Sequence, residues 1–284
     1  MTDQIKTSIP AEEIVATVRD NYGKIAERGG SCCPPTTNCC GSAPVGLSTG
    51  LGYKAVDLDL LPEGADLGLG CGAPLEHLKL QPGETVVDLG SGAGIDALIA
   101  ARDVGPEGHV IGIDMTPEML AKARSNAAAA DADHVEFREG RLEALPVDDG
   151  SVDAITSNCV INLVPDKSKV FAEIARVLKP GGRLVVSDVM LDGELPEVIT
   201  QDVMAYVGCV SGAIQREDYL RMLTEAGLGD IEIAKDVDFL ATVADSLPKE
   251  ISGAMEELGL KSEDLEGVVR SITYRARKVD ITNS

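Results

Sequence analysis

The chain has 284 residues, and its 47 acidic against 25 basic side chains leave a formal charge of −22, which repels nucleic-acid backbones and anionic membranes. Apolar residues make up 44%, enough to core one domain with extensions or two unequal ones, yet no run approaches the ~20 apolar residues that span a bilayer. The N-terminus, Met1-Thr2-Asp3-Gln4-Ile5-Lys6, has no basic-then-apolar leader, so a soluble, cytoplasmic protein acting on small molecules, with no nucleic-acid or membrane partner, is expected.

Residues 10–28 place Ile14, Val18 and Ile25 at helical spacing after Pro10, which predicts an amphipathic helix ending at Gly29-Gly30. The following stretch holds two adjacent pairs among the seven cysteines, Cys32-Cys33 and Cys39-Cys40, and its Gly, Pro and Ser content predicts a loop. From residue 84, short continuous apolar runs alternate with helical segments. The runs are Thr85–Leu89, His109–Asp114, Val135–Phe137, Val152–Thr156 and Arg183–Asp188. Strands that are apolar on both faces predict a parallel sheet covered by helices on each side, an α/β Rossmann-like fold. Thr116-Pro117-Glu118 opens a helix to about Ala130, and Lys179-Pro180-Gly181-Gly182 ends another. After residue 190 the pattern turns helical, with one late strand at Ser271–Ala276. The expected organisation is an N-terminal helix and cysteine loop (1–75), a nucleotide-binding domain (76–192) and a C-terminal region completing an acceptor site (193–284).

The first strand runs into Asp88-Leu89-Gly90-Ser91-Gly92-Ala93-Gly94. Glycines at a strand-to-helix turn let a ligand approach the backbone, at the carboxyl edge of the sheet. Ile95 stands where a dinucleotide fingerprint wants its last glycine, so that alternative loses support. Asp114 ends the second strand, where a carboxylate can accept both ribose hydroxyls of a nucleoside. The motif resembles the first motif of class I S-adenosylmethionine methyltransferases. That resemblance makes S-adenosylmethionine the expected cofactor, with Asp88, Gly90, Ser91, Gly92, Gly94 and Asp114 as binding residues. It also places Met115 and Gly140-Arg141-Leu142-Glu143 beside the adenine. Asn158 joins this set, as does Tyr22, which resembles a family tyrosine on a helix covering the cofactor and which reads equally well as an aromatic anchor for that helix.

Three single cysteines, Cys71, Cys159 and Cys209, come from separate segments. Each alone reads as a small buried hydrophobe. Cys71, however, stands among glycines, poor surroundings for core packing, and Cys159 follows the fourth strand at the carboxyl edge of the sheet. The stretches "LPEGADLGLGCGAP", "VDLGSGAG", "GIDMTPEML", "SNCVINLVPDKSKVF", "LKPGGRLVVSDV" and "YVGCVSGA" together resemble arsenite methyltransferases over roughly residues 40–228. The resemblance implies that Cys71, Cys159 and Cys209 bind As(III), a soft centre suited to thiolate sulfur. It implies that an N-terminal cysteine, Cys40 or Cys39, pairs with Cys71 in a redox step, and that thioredoxin or a small thiol restores the enzyme. The substrate would be an arsenite–thiol conjugate. Gly208 departs from relatives that carry an acidic residue just before the third arsenic-binding cysteine. Cys32 and Cys33 lack the spacing of a zinc clasp and stay unassigned. His77, His109 and His134 stand beside none of these motifs. Two alternatives remain at this stage: methylation of another small metabolite, and a protein that sequesters metalloid without chemistry.

Overall fold

The computed structural model describes residues 10–28, 47–200, 206, 209–243 and 265–279. Helix α1 (Ala11–Arg28) forms as predicted, burying Ile14, Val18 and Ile25 along one stripe. Glu12 and Glu13 occupy its first turn, where negative charge meets the positive end of the helix dipole. Three short helices, α2 (Leu47–Leu51), α3 (Ala55–Leu58) and α4 (Leu75–Leu78), lead into the sheet.

All five expected strands form: β1 (Thr85–Leu89), β2 (His109–Asp114), β3 (Val135–Glu139), β4 (Val152–Asn158) and β5 (Leu178–Leu191). They pair in parallel in the order β3-β2-β1-β4-β5. Helices α5 (Ile95–Val104), α6 (Pro117–Ala129) and α7 (Lys167–Val177) supply the crossovers that parallel neighbours require. Because side chains alternate faces along a strand, Val86 and Val110 meet Ala97 and Leu120 on one side of the sheet. Val87, Leu89 and Ile111 share the opposite core with Phe171 and Ile174. Both layers are dry, which explains the continuous apolar runs.

Beyond β5 come α8 (Glu197–Thr200), α9 (Arg216–Glu225), β6 (Leu228–Asp238), α10 (Phe239–Val243) and β7 (Val269–Lys278). β7 is the late strand expected near residues 271–276, and it runs antiparallel to β5 over nine residue pairs. β6, in contrast, falls within the stretch read as helical. Its sequence mixes charged and apolar residues, as in Ile231-Glu232-Ile233, because it lies at the edge of the sheet and is largely open to water, with Glu232 and Ile233 both exposed. An aromatic ladder joins this extension to the parallel core: Tyr219 meets Phe171 and Tyr274 edge-on, with ring centres 5.2 and 5.8 Å apart. Strand order reverses between β1 and β4, so the loops after their carboxyl ends part and leave a crevice. Among the described residues no helix is long and apolar enough to cross a membrane.

Candidate active site

The crevice opens onto the glycine turn. Gly90 and Ser91 donate their N–H groups to the Ile113 carbonyl at 2.8 and 3.0 Å, seating the turn on the end of β2. Gly90 has φ +67°, and a Cβ there would lie 2.4 Å from Val160 Cγ2, so position 90 excludes any side chain. A Cβ on Gly92 would meet nothing within 4 Å: that backbone faces open space, as a close-lying ligand requires. Asp114 braces the turn, accepting from the N–H of Gly92 (3.0 Å) and of Thr116 (2.8 Å) through different oxygens. Thr116 starts α6 as expected, with Pro117 in the first turn.

A cavity of about 1130 Å³, part of it open to solvent, extends from this turn. Asp88, Gly90, Ser91, Gly92, Asp114, Met115, Leu142, Glu143, Asn158 and Tyr22, all singled out from the sequence, line it. Gly94 does not. It precedes α5 with φ +94°, and a Cβ there would press on Phe137 Cζ at 3.0 Å, so this glycine serves helix–strand packing. Asp88 Oδ2 and Ser91 Oγ are buried without a hydrogen-bond partner among the described residues. Buried polar atoms are rarely left so, and two on one cavity wall fit a polar ligand such as the nucleoside-bearing methyl donor. Burial pushes the Asp88 carboxyl well above its ordinary range, reinforced by the charge of Asp96.

Cys159 lies where this cavity meets the end of β4. Its N–H donates to the Ser187 carbonyl (2.8 Å), and its backbone takes φ +59°. Cys209, with φ +65°, donates its thiol to the Cys159 carbonyl at 2.9 Å. The left-handed region costs an ordinary residue roughly 1–2 kcal/mol, so two cysteines held there mark backbone strain at the point where the segments meet. The thiol of Cys71 donates to the Ser187 carbonyl at 3.4 Å. The sulfurs of Cys71 and Cys159 and a carboxylate oxygen of Asp188 lie within 4.8 Å of one another. Hydrogen bonds to the thiols of Cys209 and Cys71, together with burial, push the Cys159 thiol well above its ordinary value. Burial raises Cys71 too. Both shifts favour the thiol over the thiolate, unlike the lowered value of an activated cysteine nucleophile.

The glycines beside Cys71 act in the opposite sense to the one expected. Cys71 is only 3% exposed, because a Cβ on Gly70 would lie 2.6 Å from the Asn158 amide and one on Gly72 2.5 Å from Ser187 Oγ. Bare backbone lets this loop lie directly on the sheet edge, and that contact buries the thiol. Cys32, Cys33, Cys39, Cys40 and Gly208 lie outside the described residues.

Several groups escaped the sequence reading. Asp188 is fully buried at the carboxyl end of β5. It accepts from Asn162 Nδ2 (2.9 Å), the Val189 N–H (3.0 Å) and the Tyr219 hydroxyl (3.0 Å). Burial pushes its carboxyl up to about 7. Lys167, which ends the stretch "SNCVINLVPDK", is 3% exposed and donates to the carbonyls of Asn162 and Val164 at 3.3 and 3.1 Å. Its burial lowers the ammonium to about 8. An acid within a continuous apolar strand was the available signal for Asp188. For Lys167, the first residue of α7, there was none. The three histidines sit away from the thiols, His109 beside Glu136 and His134 against the Ala101 carbonyl, while His77 belongs to α4.

Comparison with known proteins follows the same lines. A family model for a methyltransferase domain matches residues 80–227. The arsenite methyltransferase of Halobacterium salinarum is 48% identical over 231 residues, covering 78% of this chain and 59% of that protein. The arsenite methyltransferase of Aquipseudomonas alcaligenes is 36% identical over 273 residues, covering 93% of this chain and 72% of its own length. The chain thus spans less than two thirds of the halobacterial relative. Among solved structures, the arsenic(III) S-adenosylmethionine methyltransferase of Chlamydomonas reinhardtii superposes with a TM-score of 0.60 at 29% identity, covering 86% of this chain and 76% of that one. The methyltransferase-domain match over more than half of the chain, together with 36% identity across 72% of the Aquipseudomonas alcaligenes enzyme, places this chain in the arsenite methyltransferase family of class I S-adenosylmethionine methyltransferases.

Proposed function

We propose that this protein moves a methyl group from S-adenosylmethionine to As(III) bound by Cys71, Cys159 and Cys209. The observation that carries the reading is the meeting of three buried thiols, from three distant segments, at one end of the donor cavity. Asp114 is set to take the ribose hydroxyls. Gly92 leaves the backbone open to the donor, while Tyr22, Met115, Leu142 and Glu143 wall it in. When bound, S-adenosylmethionine supplies an electrophilic methyl group on a sulfonium sulfur.

The three thiols give up their protons to the departing ligands of an arsenite–thiol conjugate as they take over the arsenic. As(III) in a tris-thiolate keeps a lone pair, and that pair forms the new arsenic–carbon bond as the carbon–sulfonium bond breaks. Positive charge passes from sulfur to arsenic, and S-adenosylhomocysteine leaves. No proton moves in this step, which agrees with the absence of a histidine from the described thiol site. The contribution of the chain is to hold arsenic and methyl carbon in line and to exclude water.

Return to the trivalent state needs two electrons. Attack of the Cys40 or Cys39 thiolate on the Cys71 sulfur forms a disulfide and leaves the arsenic–sulfur bonding pair on arsenic, giving trivalent methylarsenic on the two remaining thiolates. Thioredoxin or a small thiol then reduces the disulfide by exchange. The test is direct. Purified protein with S-adenosylmethionine, a thiol reductant and arsenite yields methylated arsenic, and X-ray absorption of the arsenite complex shows three arsenic–sulfur bonds. Donor binding without methylated arsenic would sink the reading.

A further inference from the structure

The peptide of Cys71 is held at two points and its thiol at a third. The Cys71 N–H donates to Asn158 Oδ1 (3.0 Å), its carbonyl accepts from Ser271 Oγ (2.7 Å), and its thiol donates to the Ser187 carbonyl (3.4 Å). Asn158 Nδ2 also donates to the Gly72 carbonyl at 2.8 Å, so one amide grips an N–H and a carbonyl of adjacent residues as a neighbouring strand would. The same nitrogen donates to the Tyr53 hydroxyl oxygen at 2.9 Å and lies at the longer distance of 3.5 Å from Asp96 Oδ2, while Tyr53 donates in turn to Asp96 Oδ1 at 2.8 Å. Tyr53 and Asp96 are 7% and 3% exposed. Both line the donor cavity, as does Asn158.

The chemistry of this chain gives it a direction. An asparagine amide can present oxygen or nitrogen to the same neighbour, and only its partners choose between the two orientations. An ionised carboxylate can only accept, so Asp96 takes the proton of Tyr53. The phenol oxygen is then left as an acceptor facing Asn158, which must turn its nitrogen toward Tyr53 and its oxygen toward the Cys71 N–H. Reversing that amide would set oxygen against oxygen at Tyr53 and at Gly72, and nitrogen against N–H at Cys71.

We propose that Tyr53 is a positioning residue for the metalloid site: by relaying the Asp96 carboxylate to Asn158, it fixes the amide that holds Cys71 in reach of the other two thiols. Among the described residues Tyr53 is hydrogen-bonded to Asp96 and Asn158 and to no sulfur. The inference rests on reading the thiol trio as the arsenic site. It also ties a residue in the first turn of α5, behind the donor cavity, to one of the arsenic ligands.

Tyr53→Phe tests it, since the ring and its packing stay and only the hydroxyl goes. In the full chain, hydrogen exchange at the Cys71 N–H should quicken about tenfold, the usual scale for loss of one buried hydrogen bond. Arsenite affinity and single-turnover methyl transfer should each fall about tenfold, while S-adenosylmethionine affinity by calorimetry stays within about threefold. Unchanged Cys71 exchange with unchanged arsenite affinity overturns the proposal. So does a loss of donor affinity as large as the loss of rate, which would make Tyr53 a donor contact. If Tyr53→Phe does not fold, Asp96→Asn carries the test, because at equal size it removes the anion that directs the Tyr53 hydroxyl, and wild-type exchange at Cys71 with wild-type arsenite affinity in that variant overturns the proposal. Should the wild-type protein methylate no arsenic, the substrate reading fails, and the exchange rate at Cys71 still decides what Tyr53 does.

Discussion

The donor turn and the thiol cluster adjoin at Asn158-Cys159, yet they are built in opposite ways. The turn is local: Gly90 and Ser91 bond the Ile113 carbonyl at the end of β2, and Asp114, the last residue of that strand, holds Gly92 while accepting from Thr116. The thiol cluster is assembled across the chain. Fifty residues separate Cys209 from the Cys159 carbonyl it binds, and 116 separate Cys71 from its Ser187 acceptor. The first is fixed by glycine conformation and one carboxylate, the second by strain at Cys159 and Cys209 and by bare glycine backbone around Cys71. A site for a common donor can be encoded in a short motif, while a site for an unusual acceptor draws on the whole tertiary fold.

The two halves should therefore separate under mutation. Cys159→Ser nearly keeps volume and removes the sulfur grouped with the Cys71 sulfur and the Asp188 carboxylate. S-adenosylmethionine affinity by calorimetry should stay within about twofold, arsenic–sulfur bonds should fall from three to two, and methyl transfer should drop at least about a hundredfold. Normal turnover in this variant would remove the central thiol from the mechanism.

Asp114→Asn makes the reciprocal cut. A carboxylate that accepts from ligand hydroxyls while bracing two backbone N–H groups is worth on the order of 1.5–3 kcal/mol per charge-assisted bond, so donor affinity should weaken about ten- to a hundredfold. Arsenite affinity, read by metalloid retained after desalting, should not change. A parallel loss of arsenite binding would show that the two halves are one cooperative unit.

How much of each half could be read from the sequence follows from the same contrast. The inner strands β1, β2 and β4 were legible because both their faces are buried and the runs are largely apolar, and the edge strand β3 because it falls in their rhythm; β6 was not, since it mixes charged and apolar residues and its pairing with β7 is long-range. The resemblance singled out Asp88, Gly90, Ser91, Gly92 and Asp114, which line the cavity, and also Gly94, which packs against Phe137 outside it, because a glycine that avoids a ring looks the same in sequence as one that faces open space. The meeting of Cys71, Cys159 and Cys209 rested on resemblance, since no periodicity joins them. Tyr53, Asp96, Lys167 and Asp188 stayed hidden because burial, not spacing, gives them their properties.

Asp96 offers the finest probe of the boundary, because it belongs to the donor cavity and reaches the thiol loop through Tyr53 and Asn158. Burial pushes its carboxyl up from 3.8 to about 6, against the lowering effect of its bonds with Tyr53 and Asn158. A raised acid holds its proton more tightly when folded than when unfolded. Its ionisation therefore costs stability, a cost fully present above about pH 6 and absent below about pH 4, where both states are protonated. Asp96→Asn removes the ionisable group and with it that penalty. The stability difference between variant and parent, from denaturant unfolding, should thus shift in the variant's favour as pH rises from about 4 to about 6.5, by on the order of 1–3 kcal/mol. Asp88, whose carboxyl the charge of Asp96 helps push up, is raised less in the variant and adds to the same trend, while carboxyls remote from Asp96 titrate alike in both proteins and cancel in the difference. A pH-independent difference would mean that Asp96 keeps an ordinary pKa, leaving the relay to Cys71 without the desolvated anion that gives it direction.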